Sequence, residues 1–155
     1  MNAAAAAALT EIVAGWVGLA PELRGLALVG SWARGDPRLD SDLDLVVLAE
    51  DPEQFLGDLL WLGAVGLECA RYAVASHRCV RYGVVGSHHL RLVPVAEVEL
   101  SFASLHWAAT DPVDAGTLTV LRGGLKIIVD KDGLFRLLLA AVGQTAANDA
   151  PASLQ

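Results

Sequence analysis

The stretch from residue 26 to residue 48 restricts the possible folds of this chain more than any other. It opens with Leu26-Ala27-Leu28-Val29, an apolar run that predicts a buried strand ending at Gly30. It closes with Leu43-Asp44-Leu45-Val46-Val47-Leu48, a second β-rich run that carries an aspartate near its start. The intervening loop is polar and acidic. The rest of the chain is therefore expected to be organised around these two strands and their loop.

Asp42 and Asp44 are expected to share one face of the second strand. Residues i and i+2 of a strand point the same way, so Leu43 and Leu45 face the opposite side and a core. The two aspartate Cβ atoms then lie about 6.6 Å apart, which lets both carboxylates bind a pair of Mg²⁺ ions, as in phosphoryl and nucleotidyl transfer. Adjacent unpaired acids repel each other, and a bound cation removes that penalty. The alternative is a solvated edge strand with surface acids.

Gly30 and Ser31 form a turn that suits a bulky anion. Glycine lets the backbone approach the anion closely, and Ser31 offers both a backbone N–H and a hydroxyl. A short helical turn after Ser31 would direct further amides to the same point, although a helix N-cap explains a serine here equally well. Arg34 adds a permanent cation that is expected either to contact a triphosphate or to pair with Asp36 or Asp40.

The spacing of these residues resembles a known signature. Gly30-Ser31, ten intervening residues and Asp42-Leu43-Asp44 resemble the motif of the nucleotidyltransferase superfamily, which has the polymerase-β-like fold. The fuller forms Gly-Ser-x-Ala-Arg-Gly and Asp-Ser-Asp-Leu-Asp-Leu resemble its small bacterial branch, the minimal nucleotidyltransferases. The resemblance implies an α/β (α+β) fold with a mixed, twisted β-sheet and helices packed mainly on one face. It also implies ATP or another NTP as donor, with Gly30, Ser31 and Arg34 at its phosphates, and two Mg²⁺ or Mn²⁺ ions.

A third carboxylate is expected on a later strand. In the run from Ala96 to Phe102 the apolar positions alternate strictly with Glu97, Glu99 and Ser101, so both glutamates share a face. If this strand lies beside the one that follows Asp42, the glutamates join the aspartates. The family pattern places its third acid on such a strand. Matched to it, Glu99 is the expected metal ligand and general base, with Glu97 as the fallback, although many relatives have Asp there.

Composition indicates a single globular domain with an adequate core. The chain has 155 residues, 54% hydrophobic and 19% charged, and a net charge of −7. An acidic balance argues against binding to a nucleic-acid backbone and is compatible with a cationic small molecule or a basic protein partner. We expect a domain over residues 1–143 and a disordered tail over 144–155. The alanine-rich start lacks a basic region and contains Glu11, which argues against a signal peptide, so a cytoplasmic protein without a membrane segment is expected.

The remaining elements follow from periodicity and turn residues. Trp16 lies on the apolar face of a predicted first helix and is expected in the core, and Trp32 is expected to pack beneath its loop. Further helices are predicted after Asp51-Pro52, over residues 113–122 and over residues 133–142, the last with Asp132 as its N-cap. Strands are predicted over residues 25–29, 67–75, 79–85, 90–95, 96–102 and 125–129, with a turn at Gly86-Ser87-His88.

Two other known motifs match part of this stretch in spacing but lack residues that they require. Gly30 and Gly35 have the glycine spacing of a P-loop, but Asp36-Pro37 stands where Lys and Ser or Thr are required. The run from Asp40 to Asp44 mimics the start of an EF-hand loop, but Leu45 replaces the turn glycine.

The cysteines and histidines show no metal spacing. Cys69 and Cys79 are expected to be free buried thiols, although a cross-strand disulfide is conceivable. The four histidines (His77, His88, His89 and His106) are expected to be surface or structural residues.

The sequence therefore predicts a metal-dependent nucleotidyltransferase that moves an NMP to a hydroxyl and releases pyrophosphate. The resemblance implies two kinds of acceptor: a partner toxin protein, as for antitoxin-like relatives, or a small molecule such as an aminoglycoside. A homo- or hetero-oligomer is possible. The alternative is a catalytically inert relative that serves as a binding or oligomerisation module, with its apolar residues forming a partner interface.

Overall fold

The structure, a computed structural model, describes residues 1–67, 71–94 and 96–149. Its described strands are β1 Leu23–Val29, β2 Leu43–Ala49, β3 Ala73–Tyr82, β4 Val85–Val93, β5 Ala96–Ser104 and β6 Leu125–Asp130. Its described helices are α1 Ala3–Leu19, α2 Ser31–Arg34, α3 Leu62–Val65, α4 Ala115–Arg122 and α5 Leu134–Asp149, with 3-10 turns at Pro52–Phe55 and Leu105–Ala108.

The strands form one mixed sheet in the order β3-β4-β5-β2-β1-β6. β2 runs parallel to β5, and the other described neighbours pair antiparallel. A parallel pair needs a long crossover, and the segment between β2 and β5 supplies it with α3 and the β3–β4 hairpin. The expected mixed α+β fold is confirmed.

Each face of the sheet carries its own core. On one face α1 and α3 cover the larger core, where Leu26, Leu45 and Leu100 are almost fully buried. On the other face Phe135 and Leu138 of α5 pack against Val46. The second core is smaller and leaves open the part of that face nearest the start of β2. The prediction that Leu43 and Leu45 face a core is confirmed, because both are buried.

An aromatic cluster joins α1 to the sheet. The ring of Trp16 stacks on Trp61 with centroids 5.6 Å apart, and Phe55 stacks on Phe102 at 4.8 Å. The expected core position of Trp16 is confirmed, and Trp32 also packs against this core. Such aromatic pairs contribute about 0.5–1.5 kcal/mol each beyond the area that they bury.

The helix predicted after Asp51-Pro52 is wrong in its extent. Asp51 does cap a first turn by accepting the N–H of Glu53, but the turn ends at Phe55, and α3 begins only at Leu62. Between them the indole N–H of Trp61 donates to the carbonyls of Phe55 and Asp58. A side chain therefore uses the carbonyls that a continuous helix would have paired with its own backbone.

The boundaries predicted between residues 67 and 95 are also wrong. β3 begins at Ala73 and runs unbroken to Tyr82; residues 68–70 and 95 lie outside the described residues. The hairpin turns at Gly83, which has φ +63°, whereas the predicted turn residue Gly86 lies within β4. Gly86 is needed for space, because a Cβ there would collide with Leu56.

α4 and β6 lie at their predicted positions, whereas α5 continues past its predicted end at residue 142 and has a different cap. α4 begins after Asp114, which accepts backbone N–H bonds, and β6 follows at Leu125. Asp130, and not Asp132, accepts from the first backbone N–H groups of α5. Asp132 instead forms a two-bond ion pair with Arg24 on β1. The described part of α5 reaches Asp149, and residues 150–155 lie outside the description.

Two leucines of α1 test how this helix is packed. Leu9 is 0% exposed and Leu19 is 87% exposed. Leu9→Ala is expected to lower the free energy of unfolding by about 2–5 kcal/mol because it leaves a cavity, and Leu19→Ala to change it by less than about 0.5 kcal/mol. Urea denaturation measures both variants. Equal losses would contradict the packing of α1 on the sheet.

Candidate active site

Four carboxyl groups meet where β2 and β5 run side by side. Asp44 is directly beside Glu99 in the parallel register, and Leu43 is beside Val98. Asp42 immediately precedes β2 and interacts with Glu97 through a hydrogen bond. The structure therefore brings together the three acids singled out from the sequence, and it places the fallback Glu97 in the same group. This follows from strand alternation, because positions two apart on each strand share a face.

The local field raises the pKa of both aspartates. Burial, the charges of Glu99 and Asp42, and a hydrogen bond with Glu99 raise the pKa of Asp44 to about 7. Burial also raises the pKa of Asp42, with a hydrogen bond and repulsion from Glu97 and further repulsion from Glu99. Glu99 raises the pKa of both aspartates, whereas Glu97 raises the pKa of Asp42. The protein thus holds several negative charges together without enough positive charge to balance them.

The donor set fits a hard divalent cation. All four groups offer carboxylate oxygen, which Mg²⁺ and Mn²⁺ prefer. No Lys or Arg forms an ion pair with any of the four in the part of the chain that is described; His89 Nε2 lies 3.7 Å from Glu99 Oε1, and Arg91 on β4 is opposite Glu97. Among those same residues, no group of three or more side chains is already arranged as metal ligands. The carboxyls pair with one another instead.

Gly30 sits against Asp44 at the end of β1. Its φ of +73° and ψ of −149° belong to a region that glycine alone adopts readily. A Cβ at this position would lie 2.8 Å from Asp44 Oδ2, so only glycine lets the backbone pass this close to the carboxyl. Ser31 follows as the first residue of α2, and its hydroxyl has no hydrogen-bond partner within the described residues.

Arg34 is held in place at the end of α2. Its Nη1 donates to the carbonyl of Gly123 at 2.6 Å, and its Nε donates to Asp36 at 3.1 Å. The ion pair with Asp36 is therefore the interaction present in this structure. The bond to Gly123 connects α2 to the loop before β6, which fixes the position of the Gly30 turn.

A cleft of about 680 Å³ opens above Asp44 and Glu99. This volume lies within the range of small-molecule sites, about 300–1,000 Å³. One wall is α4, and the opposite wall is the tip of the β3–β4 hairpin. Its apolar and aromatic lining comes from Val29, Val46, Tyr82, Val84, Val85, Trp107 and Val120.

Several residues of this cleft were not anticipated. Ser87 and Ser101 lie on its floor with their hydroxyl oxygens 2.6 Å apart. The alternation in β5 already placed Ser101 on the face of Glu99, so this residue could have been found. Ser87 could not, because it was assigned to a turn. Trp107 and α4 enter the cleft through the tertiary fold, for which the sequence gives no local signal.

Two of the histidines lie on a strand and not in the predicted turn. His88 and His89 lie on strand β4 and point to opposite faces, and not in a turn. His88 is buried, donates from Nε2 to Phe55 O, pairs through Nδ1 with His77 Nε2, and has its pKa lowered by burial. His89 faces the acids and lies beside Glu99. Cys79 is a free, exposed thiol on β3, so its expected burial is wrong, and Cys69 lies outside the described residues.

Comparison with known families agrees with this architecture. The chain belongs to the nucleotidyltransferase domain family, whose model matches residues 19–109. That range contains β1 to β5, the Gly30 turn and all four acids. A comparison with curated proteins gives no match. Over residues 1–67, 71–94 and 96–149, none of the helices has the length and apolar character needed to cross a membrane.

Replacement of Gly30 tests the close approach to Asp44. Gly30→Ala is expected to lower the free energy of unfolding by about 1–3 kcal/mol, because alanine disfavours this backbone conformation and its Cβ would press on the carboxyl. Gly15→Ala is the control: its Cβ would meet nothing within 4 Å, and alanine favours a helix. Denaturant titration should show a loss for the first variant and none for the second; a neutral Gly30→Ala would contradict the geometry.

The raised pKa of Asp44 predicts an unusual pH dependence of stability in EDTA. Between its ordinary value of 3.8 and about 7, the folded state keeps a proton that the unfolded state releases. The contribution of Asp44 to stability therefore falls as pH rises through this window and then levels off, whereas buried His88, whose pKa is lowered, contributes in the opposite direction. Asp44→Asn removes the ionisation and is expected to raise Tm above pH 7 by a few degrees, about 2–4 °C for each kcal/mol.

Thermal melts in EDTA from pH 5 to pH 8 measure this effect. Asp111→Asn, at an exposed position, is the control and should follow the wild type. The Tm difference between the wild type and Asp44→Asn isolates Asp44 from the opposing contribution of His88, and a difference that stays constant from pH 5 to pH 7 would contradict the assignment of Asp44.

Proposed function

We propose that this protein is a metal-dependent nucleotidyltransferase that transfers NMP, with ATP as the expected donor, to a hydroxyl group. The observation that carries the proposal is the convergence of Asp42, Asp44 and Glu99, with Asp44 and Glu99 lining a cleft whose edge is the Gly30 turn. Family membership supports nucleotidyl transfer as the reaction class. The cytoplasm, where nucleotides are abundant and thiols stay reduced, is the expected location.

The acids would hold Mg²⁺ or Mn²⁺ ions. Asp42, Asp44 and Glu99 are the proposed ligands, and they would exchange their mutual hydrogen bonds for the cations. Bound divalent ions supply charge neutralisation at the phosphates and lower the pKa of a coordinated hydroxyl. The raised pKa of Asp44 supports this assignment, because a cation is what the group lacks.

The cleft would bind the donor along its length. The phosphates would lie at Gly30 and Ser31, where the backbone leaves room and a hydroxyl has no described partner. The nucleoside would lie against the apolar wall near Trp107 and Val120. Arg34 would support the phosphate turn through Gly123, and would contact the triphosphate only by leaving Asp36.

Glu99 is the proposed general base. It lies beside Asp44 and raises the pKa of both aspartates. Glu97, by contrast, is exposed and raises the pKa of Asp42. The acceptor oxygen attacks the α-phosphorus, its proton passes to Glu99, and the bond to the pyrophosphate oxygen breaks. Most of the rate enhancement would come from positioning and charge neutralisation. A partner protein or a small molecule supplies the hydroxyl.

Carboxamide variants of the acids test the roles separately. Asp44→Asn is expected to abolish transfer of label from α-labelled ATP to any component of a cytosolic extract. Glu99→Gln should reduce the rate about 10²–10⁴-fold, the usual contribution of a general base, and Glu97→Gln should reduce it far less. Addition of EDTA should stop the reaction, and added Mg²⁺ should restore it.

Asp111→Asn is the control for loss of a carboxylate and should leave the rate unchanged. Full activity of Asp44→Asn would refute the proposal. Calorimetric titration with Mg²⁺ and a panel of nucleotides distinguishes the inert binding module, which would show no metal-dependent nucleotide binding.

A further inference from the structure

The β3–β4 hairpin is a basic ribbon in an acidic protein. The two strands and their turn, residues 73–93, contain three arginines, three histidines and no acidic residue, whereas the chain as a whole has a net charge of −7. Arg81 forms an ion pair with Glu53 through two hydrogen bonds. Arg78 and Arg91 are exposed, and neither has a hydrogen bond or ion pair within the described residues.

These two arginines face the same side of the sheet as the acids. Four residues form one row across β3, β4, β5 and β2: Arg78, His89, Glu99 and Asp44. Each of them is directly opposite the next in the register of the sheet. Arg91 is on the next row, opposite Glu97. Diagonal neighbours on paired strands lie about 7–8 Å apart, which lets two long side chains reach one small group.

A separate cleft connects the arginines to the acids. It has a volume of about 380 Å³, and Arg78, Arg91 and His89 line it together with Asp42 and Glu97. It lies on the β4 side of the acids, whereas the Gly30 turn lies on the β1 side. A molecule in this cleft would therefore approach Glu99 from the side opposite to the proposed donor phosphates.

We propose that Arg78 and Arg91 bind a phosphate group of the acceptor, so that the natural acceptor is a phosphate monoester with a free hydroxyl. This inference rests on the proposed function, because it assigns the second substrate of the same site. Two guanidinium groups match the charge and the several oxygens of a phosphate dianion, whereas one arginine suffices for a carboxylate. Strands lie about 4.8 Å apart, so the bound phosphate and the reacting hydroxyl would be within about 10 Å of each other.

The proposal bears on the choice of acceptor. A polycationic aminoglycoside matches the overall acidic charge, but it would be repelled by the basic ribbon on this side of the acids. The local charge, and not the net charge, determines which group can lie next to Glu99.

Inorganic phosphate is the probe for this site. The full-length protein is titrated in EDTA at pH 7.5, without nucleotide, and the arginine Nε–H signals are followed by NMR. Phosphate is expected to shift the signals of Arg78 and Arg91, and the double variant Arg78→Gln/Arg91→Gln is expected to bind it at least about 10-fold more weakly, as loss of charged hydrogen bonds predicts. Arg136→Gln, at an exposed position on α5, is the matched control and should bind as the wild type does.

Three further outcomes decide the proposal. Phosphate binding that persists with a saturating non-hydrolysable ATP analogue and Mg²⁺ supports separate acceptor and donor sites, and mutual exclusion would overturn it. Weaker Mg·ATP binding by the double variant would instead assign the arginines to the donor. Equal affinity for acetate would overturn the preference for phosphate.

Failure of this inference is distinguishable from failure of the proposed function. Calorimetric binding of Mg·ATP without phosphate binding at the arginines refutes the acceptor assignment alone. Absence of Mg·ATP binding refutes both, even if phosphate binds to the arginines.

Discussion

The parallel pairing of β2 with β5 is the constraint on which the site depends. It sets Asp44 beside Glu99 and brings Asp42 within hydrogen-bond reach of Glu97. The opposite faces of the same strands bury Leu45 and Leu100 in the larger core, so the register cannot slip by one residue without exposing those leucines. Hydrophobic burial on one face thus holds the acids together on the other, against their own repulsion.

This arrangement stores an electrostatic penalty where the chemistry is expected. The pKa of Asp44 is raised to about 7 by burial and by its acidic neighbours, and no arginine or lysine in the described residues relieves it. Acids held together against their own repulsion favour a site for divalent cations over a structural role. Gly30 belongs to the same site, because its conformation and lack of a side chain let the turn after β1 pass close to the Asp44 carboxyl.

The sequence predicted the two strands and the acids because local rules determine them. Alternation alone places Asp42 with Asp44 and Glu97 with Glu99, and the Gly-Ser spacing indicated the family. The predictions from sequence failed over residues 52–93, where tertiary contacts decide which secondary structure forms. Trp61 interrupts a helix by bonding to Phe55 and Asp58, and Gly86 is required by the proximity of Leu56 and not by a turn. The cleft walls and the position of Arg78 depend on strand order, which no local pattern contains.

The central claim is that the acids are a site for divalent cations, and Mn²⁺ tests it most directly. Electron paramagnetic resonance reports free Mn²⁺, so its signal falls as the protein binds the ion. The experiment is done at pH 8 with a non-hydrolysable ATP analogue present. The wild type is expected to lower the signal of free Mn²⁺ further than the analogue alone does, whereas the double variant Asp42→Asn/Asp44→Asn is expected to cause no further decrease. A wild-type curve that superimposes on that of the double variant would contradict it.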